Sequence, residues 1–67
     1  MKIYINGKQV KTIKDTNLKD LLKNIFLGKP GAYAIAINNQ FIPKSIYEDI
    51  VIKEGDQIEI LTPHPGG

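Results

Sequence analysis

Alternation of apolar and polar residues predicts a β-strand at the start of the chain. Apolar side chains occupy every second position over residues 1–5, which is the period of a strand with one buried face. The next two residues, Asn6-Gly7, favour the positive φ angles of a two-residue hairpin turn. Counting outward from this turn pairs Ile3 with Val10. We therefore predict an opening hairpin with both of these side chains on its buried face.

The period changes to that of an amphipathic helix after residue 17. Asn17 is suited to the N-cap position, and apolar residues then recur three and four positions apart. These residues are Leu18, Leu21, Leu22, Ile25 and Phe26. Gly28 favours a left-handed C-terminal cap, and Pro30 prevents further helix. The pattern predicts one core helix that begins at Leu18 and ends near Leu27.

The second half of the chain begins with another predicted hairpin. Its strands are Tyr33 to Ile37 and Gln40 to Ile42, and Asn38-Asn39 forms the turn between them. The inward positions are Ile35, Ile37 and Ile42, and the outward positions are Ala34, Ala36 and Phe41. Two small residues beside one aromatic ring would let the backbone of another protein approach this outward face.

Residues 44–52 have no clear period, so we predict a connection with one helical turn that Ser45 caps. Its expected apolar anchors are Ile46, Tyr47, Ile50 and Val51. Glu54-Gly55-Asp56 is typical of a turn, and Gln57 to Thr62 alternates as a final strand. In that strand the inward positions are Ile58 and Ile60, and the outward positions are Glu59 and Leu61.

The order of elements predicts an α+β fold. Two hairpins cover one helical stripe only if their strands join in one sheet, and the apolar final strand is best placed centrally, parallel to the first strand. A right-handed crossover through the helix would place the third strand parallel to a neighbour. We expect a β-grasp (ubiquitin-like) domain over residues 1–62, with a mixed sheet of four to five strands on one main helix. Residues 63–67 are expected to form a flexible C-terminal diglycine tail.

Composition excludes several classes of function. The chain has 67 residues, enough for one domain, and it has no cysteine for disulfides or thiolate metal sites. Eight lysines face two aspartates in residues 1–44, and one lysine faces five acidic residues in residues 45–67, for a net charge of +2. All nine basic residues are lysine, so bidentate recognition of nucleic acid is not expected. We expect a cytoplasmic protein that binds neither metal nor membrane, because no signal or spanning segment is seen.

The last five residues, Pro63-His64-Pro65-Gly66-Gly67, suit chemistry on the chain's own terminus. Two glycines leave the terminal carboxylate without a neighbouring side chain, on a thread narrow enough for an enclosed channel. The prolines would keep this thread extended or simply out of the sheet, and His64 is expected in solvent. No nucleophile–base pair is evident in the sequence, so we expect no enzyme activity of its own.

These segments together resemble the ThiS family of ubiquitin-like sulfur carriers in thiamine biosynthesis. The matching segments are Asn6-Gly7, Asn17-Leu18, Leu21-Leu22, Ala34 to Asn38, Ile42 to Ser45, Tyr47, Glu54 to Ile60 and Gly66-Gly67. The resemblance covers essentially the whole chain. The sequence departs from the family pattern at Asn39, at Lys44 and in the Pro-His-Pro before the diglycine.

The resemblance implies a carrier whose Gly67 carboxylate becomes a thiocarboxylate. A ThiF-like activating enzyme would use ATP to form the acyl adenylate, and sulfur from a persulfide would displace AMP. A ThiG-like thiazole synthase would receive the sulfur. In this scheme Gly66 supplies clearance, the chain binds no cofactor itself, and it is a monomer when free.

A docking surface for these partners is expected on the outward sheet face. Phe41 and Leu61 would supply its apolar contacts. The other predicted partner-binding residues are Pro65 in the tail and the acidic side chains of Glu54, Asp56 and Glu59. Three alternatives remain open at this point: a carrier for molybdopterin or another sulfur pathway, a protein modifier joined to lysines through Gly67, and a binding module without tail chemistry.

Overall fold

A computed structural model describes residues 1–26 and 33–62. The elements are β1 (Lys2–Ile5), β2 (Lys8–Lys11), α1 (Leu18–Phe26), β3 (Ala34–Ile37), β4 (Gln40–Ile42), a 3₁₀ helix (Lys44–Asp49) and β5 (Gln57–Leu61). The five strands form one sheet in the order β2-β1-β5-β3-β4. β5 lies at the centre and runs parallel to β1, as predicted, and every other pairing is antiparallel. The predicted β-grasp arrangement is therefore confirmed.

Both hairpins have the register that their turn residues predict. Asn6 and Gly7 have φ angles of 51° and 84°, and Asn38 and Asn39 have φ angles of 51° and 68°. Positive φ at both central residues defines the turn whose twist matches that of the flanking strands. Ile3 lies opposite Val10, as counted from the sequence.

The predicted orientation of the third strand is wrong. β3 pairs with β5 and β4, and it is antiparallel to both. The helix does connect two strands that run in the same direction, β2 and β3, but β1 and β5 lie between them. The crossover therefore spans two intervening strands, β1 and β5, of which β5 is the last strand of the chain.

Helix α1 begins as predicted. The Asp20 N–H donates to the Asn17 Oδ1 atom at 2.8 Å, which is an N-cap hydrogen bond. Leu18, Leu21 and Leu22 are buried in the core. Ile25 was expected in the same stripe but is 38% exposed, and it lines a shallow surface groove together with Ile5 on β1 and Val10 on β2. The side chain of Phe26 and the predicted helix end at Leu27, Gly28 and Pro30 lie outside the described residues, as does the 63–67 tail.

The connection after β4 is anchored differently from the prediction. The Leu18 N–H donates to the Ile50 carbonyl at 2.8 Å, and the Ile52 N–H donates to the Thr16 carbonyl at 2.9 Å. These bonds hold residues 50–52 extended, so alternate side chains point in opposite directions. Ile52, which was not predicted as an anchor, is 2% exposed, whereas the predicted anchor Val51 is 56% exposed.

The 3₁₀ helix contributes one buried side chain, that of Tyr47. Its ring stacks on Tyr33 with the centroids 6.3 Å apart. Burial, with a contribution from Tyr33, raises the pKa of Tyr47. Ile46 is partly exposed, and Ser45 is not the cap, because Pro43 occupies the N-cap position and no side chain caps this helix.

Removing the buried anchor should destabilise the domain much more than removing its neighbour. We expect Ile52→Ala to lower the free energy of unfolding by about 2–5 kcal/mol, because it leaves a cavity between the connection and the core. Val51→Ala is the matched control and should change it by no more than about 0.5 kcal/mol. Urea unfolding followed by circular dichroism measures both. Equal losses in the two variants would contradict the placement of Ile52.

Candidate functional site

An apolar band crosses the outward face of the sheet, opposite the helix. We define the outer band as Ala34 and Ala36 on β3, Phe41 on β4 and Leu61 on β5. Phe41 lies opposite Ala36 and Leu61 lies opposite Ala34, so the two large side chains flank the two small ones. Phe41 is 65% exposed and Leu61 is 61% exposed. The small side chains of Ala34 and Ala36 leave a shallow depression between the two large exposed side chains, and the backbone of a partner can pack there.

One acidic side chain borders the outer band. Glu59 lies opposite Ala36 in the β3–β5 pairing and is exposed. It alternates with Ile58 and Ile60, so it shares the outward face with Leu61. Of the three acidic residues predicted to contact a partner, this is the one that lies on the outward face two residues from Leu61, with Ala36 between it and Phe41.

The other two acidic residues lie at the opposite end of β5. The Glu54 carboxylate accepts the Lys2 N–H at 2.9 Å. The Asp56 carboxylate accepts the Lys53 N–H at 2.8 Å and a second bond from Asn38 Nδ2 at 3.1 Å. A strand rises by about 3.3 Å per residue, so Asp56 is about 16 Å from Leu61 along the chain. Both carboxylates hold the turn that precedes β5.

A polar side chain that the sequence analysis treated only as a turn residue lies near the end of β5. The Ile60 N–H donates to Asn6 Oδ1 at 2.8 Å, and Asn6 Nδ2 donates to the Ile60 carbonyl at 3.3 Å. A shallow depression of about 390 Å³ adjoins this contact, lined by Tyr4, Asn6, Gly7, Gln57, Ile58 and Glu59. The sequence signals this contact only through an asparagine in a tight turn next to a strand that pairs with the predicted central strand. The strand order is needed to show that the Asn6 amide bonds the backbone of Ile60.

The described chain ends at Thr62, one residue after β5. Pro65, Gly66 and Gly67, which the sequence analysis assigned to the reactive tail, lie outside the described residues. Within residues 1–26 and 33–62, no group of three or more histidine or acidic side chains is placed to hold a metal ion. No helix in this part of the chain is long and apolar enough to cross a membrane.

Over residues 1–26 and 33–62, the strand order and the helix packed on one face of the sheet define a small β-grasp domain. The ThiS family model matches residues 3–67, which is nearly the whole chain and includes Gly66-Gly67. The chain belongs to the ThiS family. An uncharacterized protein, ycf40, from Trieres chinensis is 38% identical over 64 residues, which cover 96% of this chain and 86% of that protein.

Solved structures show the same fold. The crystal structure of a thiamine biosynthesis protein (ThiS) from Geobacter metallireducens matches with a TM-score of 0.85, at 22% identity and over the full length of both chains. The solution structure of a thiamine biosynthesis protein from the same organism matches with a TM-score of 0.79, at 23% identity, over all of this chain and 88% of that one. At these identities the likeness concerns the fold.

The different contacts of the acidic residues give a direct test. Asp56→Ala removes the acceptor for the Lys53 N–H and for the Asn38 amide, so we expect it to lower the free energy of unfolding by about 1–2 kcal/mol. Glu59→Ala removes an exposed carboxylate that accepts no hydrogen bond from residues 1–26 or 33–62, and should change that free energy by less than about 0.5 kcal/mol. Chemical denaturation compares the two. Equal stability of the variants would contradict the structural role of Asp56.

Proposed function

We propose that this chain is a sulfur carrier whose terminal carboxylate, on Gly67, is adenylated and then converted to a thiocarboxylate for thiamine thiazole synthesis. The observation that carries this proposal is the match to the ThiS family, which extends through Gly66-Gly67. The Geobacter protein with the same fold is a thiamine biosynthesis protein, which favours this pathway among those open to a sulfur carrier.

The chemistry requires an activating partner. A free carboxylate is a poor electrophile, because its leaving group would be oxide. Attack of the Gly67 carboxylate oxygen on the α-phosphorus of ATP forms an acyl adenylate and releases pyrophosphate. A persulfide then attacks the acyl carbon and AMP leaves, which gives an acyl disulfide. A thiol reduces the sulfur–sulfur bond and releases the thiocarboxylate, while the thiol and the donor sulfur form a disulfide.

The carrier's contribution is to present the Gly67 carboxylate to the active site of its partner. Glycine at positions 66 and 67 leaves room for an enclosed catalytic channel around the terminal carboxylate. Only Thr62 separates β5 from the tail in the sequence, and Leu61 on β5 belongs to the outer band. A partner that docks on this band through Phe41 and Leu61 therefore contacts the strand from which the tail continues. Pro65 would contact the partner within the tail, and Glu59 would add attraction to a basic partner surface.

The proposed partners are a ThiF-like activating enzyme and a ThiG-like thiazole synthase. The chain would be their cosubstrate, and it would be monomeric between the two encounters. It would bind no cofactor of its own, because the ATP is used in the partner's site.

Intact mass spectrometry tests the carrier chemistry. After incubation with the activating enzyme, ATP and a persulfide donor with a thiol, we expect the mass increase of one oxygen replaced by sulfur at Gly67. A variant without Gly66-Gly67 should stay unmodified, although its circular dichroism should match that of the full chain. Unchanged mass of the full chain with a competent cognate enzyme would reject the proposal.

The receiving enzyme separates the related functions. Sulfur transfer to a thiazole synthase supports the thiamine pathway, whereas transfer only to a molybdopterin synthase large subunit supports the alternative carrier. Conjugates to target lysines in cells would instead support a protein modifier.

The docking surface has its own test. We expect the double variant Phe41→Ala/Leu61→Ala to raise the KM for the carrier in adenylation about tenfold or more, because apolar anchors dominate such contacts. The control is Ile13→Ala/Val51→Ala, which removes two side chains that are 72% and 56% exposed outside the outer band. Pyrophosphate release measures both variants. Equal KM values for the two would show that the outer band is not the docking surface.

A further inference from the structure

The Asn6 side chain continues the pairing of β1 and β5 beyond the point where β1 ends. The Asn6 N–H donates to the Ile58 carbonyl at 2.9 Å, as in a parallel ladder. The next bond of such a ladder would run from the Ile60 N–H to the Asn6 carbonyl. The chain turns into the hairpin at this point, and the Asn6 amide oxygen accepts that bond instead.

The same side chain also supplies a donor. Its Nδ2 atom lies 3.3 Å from the Ile60 carbonyl, so one amide group pairs with both backbone groups of Ile60. Even-numbered residues of β5 direct these groups toward β1, but β1 ends at Ile5, which lies opposite Ile58 and not Ile60. The Asn6 amide thus takes the place of a further β1 residue opposite Ile60, the penultimate residue of β5.

A second asparagine performs a comparable task at the other end of β5. Asn38 Oδ1 accepts the Gln57 N–H at 3.0 Å, and Asn38 has the same φ angle as Asn6, 51°. Each asparagine occupies the first central position of a tight turn, and each amide holds one end of the same central strand. The two positions differ in their distance from the tail: Ile60 is three residues before Pro63, whereas Gln57 begins the strand.

We propose that Asn6 is a positioning residue that fixes the end of β5 and thereby the direction in which the tail leaves the domain. This inference rests on the proposed function, because it assigns Asn6 an effect on the delivery of Gly67. The docking contacts of the outer band lie on β3, β4 and β5 and do not involve Asn6. Loss of the Asn6 amide should therefore impair placement of the carboxylate more than it impairs docking.

Amide hydrogen exchange tests the local effect without any partner. Asn6→Gly removes the side chain and keeps the positive φ angle, which glycine adopts readily. We expect exchange at the Ile60 N–H to become about tenfold faster, the factor that corresponds to loss of one ordinary hydrogen bond, and exchange at the Gln57 N–H to stay unchanged. The matched control Asn38→Gly should give the reverse pattern. Unchanged exchange at Ile60 in Asn6→Gly would overturn the proposal.

Adenylation kinetics test the effect on delivery. With a ThiF-like activating enzyme and ATP, we expect Asn6→Gly to lower kcat about three- to tenfold and to leave the KM for the carrier within about twofold, a range set by one or two lost hydrogen bonds. Asn38→Gly should keep the wild-type kcat. An equal fall in kcat for both variants would assign Asn6 a stability role only and overturn the proposal.

The two measurements separate failure of this inference from failure of the proposed function. A wild-type chain that competent activating enzyme leaves unmodified would reject the carrier function, and with it any role of Asn6 in delivery. The exchange results would still establish whether Asn6 orders the end of β5. A wild-type chain that is adenylated, with an Asn6→Gly variant of normal kcat, would reject the positioning role alone.

Discussion

The parallel pairing of β1 and β5 is the constraint on which the rest of the structure depends. It brings the last strand of the chain between the two hairpins, where it pairs with β1 on one side and β3 on the other. Without β5 the hairpins would be separate two-stranded units, which are marginally stable alone. Its inward residue Ile58 is 1% exposed, so the strand that joins the sheet also fills the core. The strand nearest the tail is therefore paired on both of its edges.

Local chemistry in the sequence was sufficient to predict the turns, the hairpin registers and the start of the helix. Asparagine and glycine adopt positive φ easily, so Asn6-Gly7 and Asn38-Asn39 determine which residues face each other without reference to the rest of the fold. The N-cap bond of Asn17 is equally local, because its acceptor and donor are three residues apart. Such features depend on a few neighbouring residues, and these can be examined directly in the sequence.

Contacts between distant segments could not be predicted in this way. The choice between Val51 and Ile52 as core anchor depends on bonds between residues 16–18 and 50–52, which no periodicity reveals. The orientation of β3 depends on β5 being inserted beside it. Ile25 continues the apolar stripe of the helix in sequence, but it borders a surface groove and is 38% exposed. In each case the outcome depends on which distant segment packs against the residue or strand, and the local pattern does not identify that segment.

The candidate site was only partly accessible to the same reasoning. Alternation placed Phe41 and Leu61 on one face, because that depends only on the strand period. It could not show that the Asp56 carboxylate accepts two hydrogen bonds within the domain, because the donors, Asn38 Nδ2 and the Lys53 N–H, are fixed by the fold.

Two turn asparagines bond the ends of the central strand. Asn38 Oδ1 accepts the Gln57 N–H at the start of β5, and Asn6 Oδ1 accepts the Ile60 N–H near its end. The small side chains of Ala34 and Ala36 project little from the outward face, and the helix covers the core on the opposite face. For the proposed carrier function, Leu61 of the outer band would lie on the same strand from which the tail continues. Docking on the outer band would then limit the positions that Gly67 can reach, because the five tail residues start from a fixed strand end.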